Sequence, residues 1–199
     1  MSVQEQRTEA SRKLLIDAAL RIIGSEGLRS LTGARIEAVS GASRGLVGYH
    51  FGSKRGLLEA VIEQAHQFVA NIPDIAVEDR ATGTEGALHI VRDYLGQLGR
   101  DPQGHRAILV LITESVAAQP QLREAIQALS ATPRDSVRRQ LAWGLEDGSI
   151  RPDIDPAAES LVVAGILRGL ALQWLADPAA IDLERAQESA VAVVRRAYT

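Results

Sequence analysis

Thr32-Gly-Ala-Arg-Ile-Glu-Ala-Val-Ser-Gly41-Ala-Ser43-Arg-Gly-Leu-Val-Gly-Tyr-His50 is the stretch that decides how the 199-residue chain is read. Thr32 can cap a short helix with Ile36 and Val39 turned inward. Ser40-Gly41-Ala42 reads as a tight turn. Ser43 then caps a second short helix, with Leu46 and Val47 inward. Two short helices about a glycine-containing turn make a candidate helix-turn-helix. In such a unit the first helix buttresses the second, which fits a major groove about 12 Å wide. Residues near its N-terminus face base edges, while helix N-termini and basic side chains meet phosphates. The same spacing also fits two short core helices with no such role.

Helical periodicity extends outward on both sides. Leu14, Leu15, Ala18, Ala19, Ile22 and Ile23 lie on one face of a helix. Thr8 can cap its start, and Gly27 suits a left-handed position just past its end. Ser53 caps a longer helix with Leu57, Leu58, Val61, Ile62, Ala65, Phe68, Val69 and Ile72 on its buried stripe. Asn71-Ile-Pro-Asp74 ends it, and residues 73–83 read as a loop. A helix from about Thr84 to Leu98 turns Leu88, Val91, Leu95 and Leu98 inward. Asp101-Pro102 opens the next, through Ile108-Leu-Val-Leu-Ile112 to about Ala118. Gln119-Pro120 starts another, with Leu122, Ile126 and Leu129 on one face.

Pro133 either begins a fresh helix or kinks a continuous one. Val137, Leu141 and Leu145 carry the stripe to Gly148 in both cases. Asp155-Pro156 repeats the Asp-Pro opening, and the last helix spans about Leu183 to Tyr198. No alternating strand pattern, Asn-Gly hairpin or internal repeat appears. The expected fold is all-α, nine to ten helices, with an N-terminal helix-turn-helix of three helices and a C-terminal helical region.

Leu161 to Ala176 stands apart, because only Arg168 and Gln173 are strongly polar there. A helix apolar all round must be buried on all sides. Leu161, Gly165, Gly169 and Gln173 share an i+4 stripe, and the glycines let another backbone approach. A central core helix and a subunit interface both fit.

The formal charge of −3 is unevenly spread. Residues 1–56 hold nine basic and five acidic side chains, a net of +4, and the remainder carries −7. That asymmetry suits a polyanion at the N-terminal segment. Cysteine is absent, which excludes disulfides, thiolate metal sites and a thiol nucleophile. The first 25 residues carry seven charged side chains and no continuous apolar core, so no secretory signal is expected. No charge-free apolar run of about 18 residues occurs, so no membrane partner is expected.

Two motifs are decoys. Gly41-Ala-Ser-Arg-Gly45 matches the hydrolase pattern Gly-x-Ser-x-Gly, but that chemistry needs a strand-to-helix elbow, and here a helix precedes it. Glu63-x-x-His66 is half of a di-iron helix pair, but no second Glu-x-x-His accompanies it. No metal or cofactor is expected.

The residues from Arg12 to Leu58 resemble the DNA-binding region of the TetR family of bacterial transcriptional regulators. The match rests on Ala18-Ala19, Gly27, Thr32, Ile36, Gly41-Ala-Ser43, Gly45, Phe51, Ser53-Lys54 and Leu57-Leu58. Gly148-Ser-Ile-Arg-Pro-Asp-Ile-Asp-Pro156 resembles family members more loosely. The family often has Tyr where this chain has Gly48, and that Tyr touches phosphate. A small residue there is similar to the choline-responsive branch, and Tyr49 or His50 is left to take the phosphate.

The resemblance implies that Thr32 and Arg35, at the start of the first motif helix, meet phosphate and come within reach of a base. It implies that Ser43 caps and touches phosphate and that Arg44 reads a guanine. Gly45 would allow close approach, Leu46 would touch a thymine methyl, and Tyr49, His50 and Lys54 would complete a phosphate clamp. It further implies a cytoplasmic homodimer on a double-stranded palindromic operator, a repressor rather than an enzyme, released by a small-molecule effector. Residues 1–56 would bind DNA, and 57–199 would bind ligand and dimerise through Leu161, Gly165, Gly169 and Leu172. The expected ligand-facing residues are polar groups that interrupt apolar faces: His66, Tyr94, Arg106, Thr113, Glu114, Trp143 and Arg168. The competing reading is a helical small-molecule binder or enzyme without DNA function.

Overall fold

The computed structural model describes residues 2–43, 45–70, 82–117 and 123–199. Among these residues nine α-helices and one 3-10 turn form, and no strand. The helices are α1 (Val3–Glu26), α2 (Gly33–Ser40), α3 (Gly45–Phe51), α4 (Lys54–Ala70) and α5 (Gly83–Arg100). They continue with α6 (Pro102–Ala117), α7 (Arg123–Asp147), α8 (Pro156–Ala176) and α9 (Leu183–Tyr198). The side chains of the expected stripe residues Phe68 and Val69, and Ile72, the terminator at Asn71–Asp74, most of the 73–83 loop, Gln119, Pro120 and Leu122 as a whole, lie outside the described residues.

Local signals set most helix ends, with two corrections. Ser2 and Glu5 form a capping box: the Ser2 hydroxyl accepts from the Glu5 amide at 3.2 Å, and the Glu5 carboxylate accepts from the Ser2 amide at 2.7 Å. Thr8 is therefore not the cap. It sits inside α1 with its hydroxyl donating to the Gln4 carbonyl at 3.0 Å. Gly27 does take a positive φ of 83°, but with ψ of 164° it is extended rather than left-handed helical. The 3-10 turn Leu28–Ser30 begins at once, its Ser30 amide donating to the Gly27 carbonyl at 3.1 Å.

Two compact units arise from this order. The first comprises Met1–Gln67 with Gln103–Leu129. Its core gathers Leu15, Ile22, Ile23, Leu31, Ile36, Leu57 and Val61 with Ala107, Leu111 and Ile126, so α6 and the start of α7 close the core beneath the helix-turn-helix. α1 and α6 approach closely at Gly24, where an added Cβ would lie 3.2 Å from the Gln103 carbonyl oxygen and 3.3 Å from the Ala107 nitrogen.

The second unit comprises Phe68–Pro102 and Ser130–Thr199. α5 packs against α9 and α8 there, burying Leu88, Val91, Leu95 and Leu98 completely. The turn after α7 locks onto the start of α5. The Asp147 carboxylate accepts from the Gly83 amide at 2.8 Å, and the Thr84 hydroxyl donates to the Ser149 carbonyl at 2.7 Å. Partial desolvation of Asp147 opposes its ionisation, but hydrogen bonds from Ser149 and Gly83 outweigh it and hold the carboxyl below its ordinary value.

Pro133 lies inside one continuous α7, which resolves the choice the sequence left open. Asp155 caps α8 as its Asp-Pro pair predicts, accepting from the Ala157 amide at 2.9 Å. Within the single chain this apolar helix is not buried on all sides, so the central-core reading does not hold. Leu161, Val162 and Leu172 are 54%, 51% and 62% exposed, because the fold covers only the face carrying Val163, Leu167 and Ala171. By length and composition α8 is also apolar enough to cross a membrane, although Arg168 interrupts it.

Candidate nucleic-acid interface

Thr32 starts α2 as its sequence predicts, its hydroxyl oxygen accepting from the Arg35 amide at 3.2 Å. α2 ends at Gly41, whose φ of 71° and ψ of 2° are left-handed, a conformation that costs other residues about 1–2 kcal/mol. The Ser40 hydroxyl donates to the Ile36 carbonyl at 2.6 Å and accepts from the Ala42 amide at 3.0 Å, which fixes the turn. The chain then enters α3.

α3 has one seated face and one open face. Leu46, Val47 and Phe51 are half-buried and pack on the core of the first unit. Gly45 and Gly48 are exposed, and a Cβ added at either would meet nothing within 4 Å. Tyr49 stands 73% exposed. The Arg12 guanidinium lies 5.5 Å from the centre of the Phe51 ring, a cation–π contact that ties α1 to the end of α3. α3 passes into α4 through Gly52, at φ 70°. The Ser53 hydroxyl then caps α4 by accepting from the Gly56 amide at 3.0 Å, leaving Lys54 exposed at the helix start.

Besides Thr32 at its cap, Arg35, His50 and Leu46 of the expected DNA-facing residues have intramolecular engagements. Arg35 forks onto Glu26, Nε to both carboxylate oxygens at 2.9 Å and one Nη at 2.6 Å. This hydrogen bonding lowers the Glu26 pKa and raises that of Arg35. His50 Nε2 lies 3.0 Å from the Ser11 hydroxyl, and its ring meets Tyr49 edge-on. Leu46 is partly committed to the core. Thr32, Ser43, Gly45, Tyr49 and Lys54 remain exposed, while Arg44 lies outside the described residues. Glu26, Ser11 and Arg12 were absent from the sequence-derived set, since helical periodicity carries no signal for contacts between helices.

The expected ligand-facing residues divide between the units. His66, Arg106, Thr113 and Glu114 belong to the first, and Tyr94, Trp143 and Arg168 to the second. His66 borders a surface groove of about 280 Å³ with Glu59, Ile62, Glu63 and Ala128. The Thr113 hydroxyl is spent on the Leu109 and Val110 carbonyls, at 2.9 and 3.0 Å. Tyr94 and Arg168 line one cavity together with Ile90, Pro133, Val137, Ala164 and Leu167. Burial pushes the Tyr94 hydroxyl up to about 12, against the opposing pull of Arg168.

With this geometry in hand, comparison with known proteins is decisive. Residues 15–61 match the model of the bacterial regulatory proteins of the tetR family, and residues 83–198 match that of the BetI-type transcriptional repressor C-terminal region.

The chain belongs to the TetR family.

A curated relative of this TetR-family chain is the HTH-type transcriptional regulator BetI 1 of Chromohalobacter salexigens, 30% identical over 90% of this chain and 86% of its own. The HTH-type transcriptional regulator AcrR of Shigella flexneri is 23% identical over 98% of this chain and 92% of its own. In structure, a protein from Saccharomonospora viridis in complex with choline shares the fold, with a TM-score of 0.81. It is 18% identical, over 96% of this chain and 98% of that one. TetR-family members bind operator DNA, act as dimers and bind small-molecule effectors. This TetR-family chain is thus a transcriptional regulator and not an enzyme.

Proposed function

We propose that this regulator represses by binding a palindromic operator as a homodimer and leaves it when a small molecule binds. Residues 1–56 would read the DNA, and residues 57–199 would dimerise and sense, in the cytoplasm. The observation that carries the reading is the two-faced α3. Leu46, Val47 and Phe51 hold it to the core, while Gly45, Gly48 and Tyr49 face solvent. A helix held rigidly with an open, glycine-bearing face can enter a major groove without side-chain obstruction.

In this arrangement Arg44 reads a guanine edge, and Thr32, Ser43 and Lys54 hold phosphates. Tyr49 takes the phosphate contact that Gly48 cannot make. Arg35 reaches the backbone from a guanidinium oriented by Glu26, and His50 from a ring braced by Ser11. The exposed α8 face of Leu161, Gly165, Gly169 and Leu172 supplies the dimer contact, and two-fold symmetry then matches operator palindromy. Fluorescence anisotropy with promoter DNA beside the regulator's own gene tests the reading. Tight binding that weakens steeply with salt is expected. Absence of binding at low salt, with the dimer confirmed, would favour a helical small-molecule binder without DNA function.

A second reading concerns the effector. The BetI-type match and the choline-bound fold relative support choline or a related quaternary ammonium. Release of the operator complex by choline chloride, and not by equal sodium chloride, would favour this second reading, and an operator complex unmoved by choline would count against it.

A further inference from the structure

In the second unit a guanidinium faces a cavity with no carboxylate beside it among the described residues. Arg168 projects from α8 into the cavity it shares with Tyr94 of α5 and Pro133 and Val137 of α7. Its Nη2 donates to the Ser130 carbonyl at 3.2 Å, one turn before Pro133 interrupts the backbone ladder of α7. Burial disfavours its charge, the nearby Arg134 adds like charge, and only the Tyr94 hydroxyl acts in the other direction. A guanidinium stays protonated in such surroundings, so the fold holds a half-buried cation that the Ser130 carbonyl and Tyr94 compensate only in part. The remaining lining, Val137, Ala164 and Leu167, is apolar.

We propose that Arg168, with Arg134 beside it and Tyr94 at the cavity wall, receives the carboxylate of a small organic acid with an apolar body. This rests on the reading that the C-terminal region senses a small molecule, and it names the chemical class. The planar fork of an arginine matches a carboxylate with two parallel hydrogen bonds, and a monoanion cancels the charge the fold leaves open. The cavity measures about 20 Å³, room for roughly one water. Entry of a hydrocarbon body must therefore part α5, α7 and α8, so occupancy and helix packing are coupled. A quaternary ammonium would meet the guanidinium and be repelled.

Thermal unfolding of the full-length protein tests this, using hexanoate, benzoate and choline chloride at millimolar concentration with matched sodium chloride. Hexanoate or benzoate is expected to raise the wild-type Tm. R168Q should bind the same acid at least about tenfold more weakly. R168K, which keeps the buried charge and loses the fork, should also bind it more weakly than wild type. The proposal is overturned by equal shifts in wild type and R168Q, or by no carboxylate response in the wild type. Promoter-DNA binding is measured on the same samples without ligand. Its loss alongside an intact carboxylate response counts against the regulator reading and leaves the site standing.

Discussion

Leu172→Glu on the open face of α8 gives the strongest test of the assembled protein. Leu172 is 62% exposed in the single chain. Fully burying a leucine is worth about 1.5–3 kcal/mol, so covering the exposed part is worth about 1–2 kcal/mol. A two-fold axis counts each substitution twice, for about 2–4 kcal/mol per dimer. The dimer dissociation constant should rise about 30- to 1000-fold, before any repulsion between the paired carboxylates is added. Sedimentation velocity across a concentration series reads this directly. Gly165→Ala supplies a contrast of sign. Its Cβ meets nothing within 4 Å in the single chain, so the helix should gain about 1 kcal/mol from propensity alone. Packed against a partner's backbone, the same methyl loosens the dimer. An L172E protein that sediments as wild type, with G165A merely stabilised, would refute the assignment of this face.

Lys54→Ala should weaken binding to all DNA sequences and lower the salt slope by about 1, while Arg44→Ala should relax preference at one base position. Anisotropy titrations on operator and scrambled DNA separate the two. Gly41→Ala forces a left-handed φ of 71° on a residue with a Cβ and should cost about 1–2 kcal/mol, read by urea unfolding. Asp147→Ala removes an acceptor from the Gly83 and Ser149 amides and should cost about 0.5–2 kcal/mol by the same assay, as loss of a helix cap does. The folded Asp147 carboxyl titrates below its ordinary 3.8, so its contribution is present above that value and fades as pH falls through the folded pKa. D147N should therefore flatten the acid limb of the stability profile below about pH 4, and an unchanged limb would count against the carboxylate as its source.

Much of the fold was legible because helix ends are written locally. Asp155-Pro156 and Ser53 announce their caps, and α9 runs from Leu183 to Tyr198 as its stripe predicts. Thr8 was misread because a better box, Ser2 with Glu5, lies one turn earlier. For α8, hydropathy reports that a face must be covered without saying by what, so core helix and subunit interface both stayed open in the sequence. The helix-turn-helix was legible through glycine and cap positions. The engagements of Arg35 with Glu26 and His50 with Ser11 were not, since they join different helices. Tyr94 and Arg168 stood in the sequence as separate polar interruptions, and only the packing of α5, α7 and α8 brings them to one cavity.

The core beneath the helix-turn-helix closes with Ala107, Leu111 and Ile126, residues that arrive about fifty to seventy positions after Leu57. Anyone grafting this helix-turn-helix head onto a foreign sensor must therefore carry residues 103–129 along, or rebuild the floor they provide. A cut after residue 56 would leave Leu15, Ile22 and Ile36 with part of their apolar seat missing. The recombination unit of this protein is an interleaved pair of segments, and a chimera designed along the linear sequence would inherit an unfinished core.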